Sequence, residues 1–114
     1  MLERRSHPRI PLISIARLTR QGMESINDIL VQNICTHGIG IQSQEEYHKG
    51  EFVLIHLTLS TNHHEVLDES VIGEVVWANP LPDGVHYAAG IRFYRMEEEK
   101  PNLYAHIKHL EGIS

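Results

Sequence analysis

Apolar and polar residues alternate along most of the chain, the period-two signature of strands buried on one face. LISIARLTR alternates loosely and runs into QGM, a turn candidate around Gly22. SINDILVQNI reads as a second strand, CTHG as a loop and IGIQS as a third strand. After the turn-like EEYHKG comes EFVLIHLTLS, in which Val53, Ile55, Leu57 and Leu59 form one wholly apolar face. Phe52, Leu54, His56 and Thr58 form the mixed opposite face, as in a sheet packed on one side. EVLDESVIGEVVWA is a long strand with Gly73 as its candidate bend or bulge. NPLPDG sets two prolines, Asn79, Asp83 and Gly84 in one turn, and VHYAAGIRFYR is the last strand.

The period then changes. In EEEKPNLYAHIKHL, Leu103, Ile107 and Leu110 recur at i, i+4 and i+7, with acids first and Lys108 and His109 near the end. This predicts one amphipathic helix over 97–111 whose charges complement its dipole, with Pro101 in the first turn. Short strands followed by a terminal helix, without βαβ alternation, argue for a small antiparallel barrel or sandwich closed by a helix.

Charge alters this picture at one end. The chain of 114 residues carries −5 overall, yet Arg4, Arg5, Arg9, Arg17 and Arg20 face Glu3 alone in its first twenty positions. That segment sums to +4 and the remainder to −9. A basic arm on an acidic body points to an anionic ligand or partner, where a solvated tail is the plain alternative. The length suits one domain with one core. No apolar run reaches the roughly 18 residues of a membrane span, and no secretory h-region follows the N-terminal charges, so the expected address is cytoplasmic. Cys35 is the one cysteine, which removes an internal disulfide and a cysteine-based zinc site.

Two clusters carry candidate chemistry. Arg5 and Arg9 stand four apart in R-S-H-P-R, and Pro8 biases His7 away from helical geometry, so the guanidinium groups belong to an extended arm. Guanidinium matches phosphate and the guanine edge through paired hydrogen bonds and stacks on bases. In NICTHG, Asn33 offers donors and acceptors to a purine edge, and Gly38 is placed where the turn calls for positive φ.

In this order and spacing, the clusters resemble the signatures of the PilZ domain, the bacterial receptor module for cyclic di-GMP. R-x-x-x-R is matched by Arg5 and Arg9, and (D/N)-x-S-x-x-G by Asn33 and Gly38, with Cys35 at the serine position. GEVVW, from Gly73 to Trp77, and GIRF, from Gly90 to Phe93, resemble two later strands of the family. The resemblance implies a six-stranded antiparallel β-barrel with a C-terminal α-helix. It divides the chain into a ligand-clamping arm at 1–11, a barrel at 12–96 and the helix at 97–111.

It also implies a non-enzymatic cyclic di-GMP receptor or adaptor that changes conformation on binding and signals to a downstream protein, as monomer or homodimer. Arg4, just before the signature, is where the family resembles a stoichiometry switch, arginine accompanying an intercalated ligand dimer. His7, His37, Trp77 and Gly90 are expected near the ligand. A thiol for a hydroxyl at Cys35 costs about one neutral hydrogen bond, on the order of 0.5–1.5 kcal/mol.

Rival readings are a PilZ-like interaction module without ligand and a small-barrel binder of single-stranded nucleic acid. The acidic body opposes the second. Nine histidines invite a metal, but the adjacent His63 and His64 diverge on an extended segment, and no cysteine or clear carboxylate completes a cage with His106 and His109. No cofactor and no metal are expected. No Ser-His-Asp or Cys-His arrangement is legible in the linear sequence.

Overall fold

The computed structural model describes residues 10–22, 26–60 and 66–113. Its strands are β1 (Ile10–Arg20), β2 (Ile26–Cys35), β3 (Gly38–Ser43), β4 (Phe52–Ser60), β5 (Val66–Pro80) and β6 (Tyr87–Phe93). Two helices follow, α1 (Met96–Glu99) and α2 (Pro101–Ile113). The strands close into a barrel in the order β1-β2-β3-β6-β5-β4, every neighbouring pair antiparallel. The six-stranded barrel with a C-terminal helix expected from the sequence is the fold observed. β1 begins at Ile10, within the span 1–11 expected for the arm.

Alternation becomes inside and outside. Along β4, Val53, Ile55, Leu57 and Leu59 are buried while Phe52 and Leu54 face outward. Leu18, Val31, Ile34, Ile39, Val75 and Ile91 complete an interior filled by side chains, as a barrel of this size requires. Leu103 and Ile107 of α2 are fully buried in the same cluster, and such burial stabilises by roughly 1.5–3 kcal/mol per side chain. Among the described residues no helix is long and apolar enough to cross a membrane.

Two loops are fixed by polar groups. Tyr47, between β3 and β4, is buried with the Arg20 guanidinium 4.5 Å from its ring centre. Burial pushes its hydroxyl pKa up, partly countered by the polar Ser43 side chain and the Arg20 charge nearby. Arg20 also pairs with Glu51 at 2.6 Å and donates to the Glu46 carbonyl. In the β5–β6 hairpin, Asp83 accepts the backbone N–H groups of His86 and Val85, each at 2.9 Å. These bonds, His86 first, lower its carboxyl pKa to about 2.

Two sequence expectations are corrected. Gly73 is not a bulge: its register runs unbroken against β4 and it pairs with Phe93 on β6. The irregularity lies between Val75 and Trp77, whereas Gly73 lets the strands approach, since a Cβ there would stand 2.5 Å from Ile91 Cγ2. Nor is the terminal helix continuous. Lys100, at φ −131° and ψ 61°, separates α1 from α2 because Pro101 disfavours helical geometry in the residue before it. Glu97, Glu98 and Glu99 therefore occupy the first turn of α1, and the first and last turns of α2 hold no complementary charge. The dipole complementarity expected of a single helix is absent.

Candidate ligand-binding face

One transverse row on the outside of the barrel gathers the candidates. Asn33 on β2 pairs with Gly40 on β3, Gly40 with Gly90 on β6, and Gly90 with Trp77 on β5. The flanking core residues Ile39, Ile41, Ala89 and Ile91 point inward, so Gly40 and Gly90 face outward. Three strand spacings separate Asn33 from Trp77, about 14 Å. Between them the backbone carries no side chain of its own. The result is a shallow trough whose two buried glycines are covered by an amide from one end and an indole from the other.

Both end groups lean into it. A Cβ on Gly40 would lie 2.8 Å from Asn33 Oδ1 and 3.0 Å from its Nδ2, so the amide rests on that glycine. A Cβ on Gly90 would collide with Trp77 Nε1, so the indole lies across Gly90 while 39% exposed. The glycines are required by close approach and not by φ. Rows on either side are polar: Gln32 Nε2 donates to Gln42 Oε1 at 2.7 Å, and Arg92 Nη2 to Glu74 Oε1 at 2.9 Å.

The rest of the second cluster lies two residues along the strands from this row, at the β2–β3 turn. Cys35 pairs with Gly38 across a two-residue turn, Thr36-His37. The expected positive φ at Gly38 is not found; among the described glycines it occurs at Gly22, Gly50 and Gly84. Gly38 is needed for a different reason, since a Cβ would fall on the Ile91 carbonyl oxygen of the neighbouring strand. The Cys35 thiol is buried and accepts the His37 N–H at 3.4 Å. His37 is exposed, its carbonyl accepting from Phe93 N–H at 2.8 Å.

The structure thus brings together Asn33, Cys35, His37, Gly38, Trp77 and Gly90. Arg4, Arg5, His7 and Arg9 lie outside the described residues. Sequence reasoning missed Gly40, whose signal was a glycine at an outward position of an otherwise apolar strand. Arg92 and Glu74 were also missed.

No curated protein matches the chain. Among solved structures it is similar to the Bacillus subtilis inhibitor of motility (MotI/DgrA), with a TM-score of 0.74 at 14% sequence identity. That match covers 95% of this chain and 50% of the other, so the chain spans about half the length of that relative. The likeness establishes a shared fold. The family model of the PilZ domain matches residues 3–110, and the chain belongs to the PilZ domain family.

Proposed function

We propose that this protein is a cyclic di-GMP receptor that works as a binding and adaptor module without catalysis, passing its signal to a protein partner. The observation that carries the reading is the outward row Asn33–Gly40–Gly90–Trp77, two glycines without side chains of their own covered by a hydrogen-bonding amide and a half-exposed indole. A dinucleotide of two phosphates and two guanines needs a polar group for its base edges, an aromatic plane to stack on, and cations. The first two lie on the face itself.

Connectivity supports the third. β1 enters its ladder at Ile10, paired with Ile34, and Pro11 pairs with Asn33. The first described residue, Ile10, which follows Arg9 in sequence, therefore enters the barrel beside the row. Guanidinium–phosphate contacts contribute roughly 1.5–3 kcal/mol each, enough to offset the entropy of ordering an arm only when several act together.

Calorimetric titration with cyclic di-GMP at physiological salt tests the proposal. Saturable binding is expected, weakened about ten- to a hundredfold in Arg5→Ala and in Arg9→Ala with little change in stability. Two ligand molecules per chain are expected, falling to one in Arg4→Leu. Wild-type affinity in both of the first variants refutes the assigned site, and one ligand per wild-type chain refutes the role of Arg4.

A further inference from the structure

The last turn of α2 reaches the ligand-motif turn directly. Glu111 Oε2 accepts the backbone N–H of Thr36 at 3.2 Å, across 75 residues of sequence. Glu111 continues the stripe of Leu103 and Ile107 at the same spacing of four, and those two side chains are fully buried. A carboxylate thus stands where the apolar seam of the helix meets β2. For the helix alone this position is unfavourable, because Glu111 lies near the negative end of the dipole and no basic residue occupies that turn. The amide of Thr36 gives the carboxylate a donor there.

The turn is held from two sides. His37 carbonyl is fixed to β6 through Phe93 N–H, and Thr36 N–H is fixed to α2 through Glu111. Cys35 and Gly38 flank these residues, and Asn33 lies two positions before Cys35 on the same strand. We infer that Glu111 is a positioning residue that latches the β2–β3 turn to the end of α2, so that ligand occupancy of the trough and docking of the last helical turn are coupled. The coupling rests on the trough being the ligand site, and by linkage it is reciprocal: a docked helix end tightens binding, and bound ligand tightens the helix end. The Lys108 ammonium, 5.8 Å from the ring centre of Tyr104, which packs partly buried against the core, would register such a change.

The test uses the full chain, with cyclic di-GMP as probe, in wild type, Glu111→Ala and Glu111→Gln. Amide hydrogen exchange is followed at Thr36 and over residues 108–112, beside calorimetric affinity. Glu111→Ala is expected to speed exchange at Thr36 and in the helix end together, and to weaken cyclic di-GMP about fivefold or more, whereas Glu111→Gln, which keeps an acceptor, recovers most of both. Unchanged Thr36 exchange in Glu111→Ala overturns the latch, and unchanged affinity in a protein whose wild type binds overturns the coupling. If wild type does not bind, the ligand assignment and the coupling built on it both fail, and exchange still decides whether Glu111 holds the turn. A general loss of folding appears as faster exchange across β4 as well and counts against a specific role.

Discussion

Over β2, β3, β6 and β5 the outer surface is stripped down to Gly40 and Gly90, with Asn33 and Trp77 laid over them. Over β1, β4 and β5 it is built up: Phe52, Leu54, Ile72 and Tyr94 stand 41–53% exposed around an open cavity of about 710 Å³. β5 runs through both faces, and both rest on the same packed interior. A trough depends on side chains that are missing, whereas the apolar cavity depends on side chains that are present and incompletely covered. Interior positions answer to packing density, so each change there is felt throughout. Outer rows answer mainly to their neighbours, which lets one barrel carry two unlike surfaces.

The sharpest way to break the comparison is at its shared foundation. Gly38→Ala sets a Cβ against the Ile91 carbonyl, where neither backbone can yield cheaply, and is expected to cost more than about 3 kcal/mol in chemical denaturation. Next in size is Gly90→Ala, which must lift the indole of Trp77, the only tryptophan of the chain. A red-shifted emission spectrum and roughly tenfold weaker cyclic di-GMP binding are expected, in keeping with the worth of base–aromatic stacking. An unshifted spectrum would show that the ring does not rest on Gly90.

Cys35→Ser is a smaller change at the turn beside that row. A hydroxyl accepts the His37 N–H better than a thiol does, so affinity is expected to rise a few-fold, while Cys35→Leu overfills the site and lowers it. Equal affinity in both variants would confine Cys35 to packing. The smallest effect belongs to the other face. Leu54→Ser and Ile72→Ser are expected to change stability by under ~1 kcal/mol and leave cyclic di-GMP affinity within about twofold. A tenfold loss of affinity in either would show that the faces are not independent.

Much of the barrel was legible because its interior is filled, which forces strict alternation on strands such as β4. The break at Lys100 was not. Glu97, Glu98, Glu99 and Lys100 favour helix individually, and only the constraint that Pro101 places on its predecessor divides the run. The bulge between Val75 and Trp77 falls at residues of ordinary strand composition, while the conspicuous Gly73 marks close packing against Ile91. Asn33 and Gly38 were found through a linear motif. Gly40 escaped because its importance is transverse, arising when register brings Asn33, Gly40, Gly90 and Trp77 into one row across four strands. Local pattern fixes which face a residue takes, but not its neighbours in that row.

The ladder that closes the barrel has a kinetic consequence. β1 and β4 pair only from Arg17–His56 to Arg20–Val53, whereas β4 and β5 pair from Phe52–Glu74 to Ser60–Val66. The hairpin ladders form between chain neighbours, but two ladders, β1–β4 and β3–β6, join strands separated by two others and need larger loops to close first, and β1–β4 is the shorter of the two. With fewer pairs than any other ladder, the β1–β4 seam is expected to form late in folding and to part early in unfolding. Arg20, at one end of the seam, holds Glu51 and Glu46 of the facing loop and works as a clasp. Contacts that form after the transition state govern how long a native molecule lasts more than how fast it is made. The shorter of the two long-range seams is therefore held by one arginine and four residue pairs, and the lifetime of the closed barrel is expected to be most sensitive there.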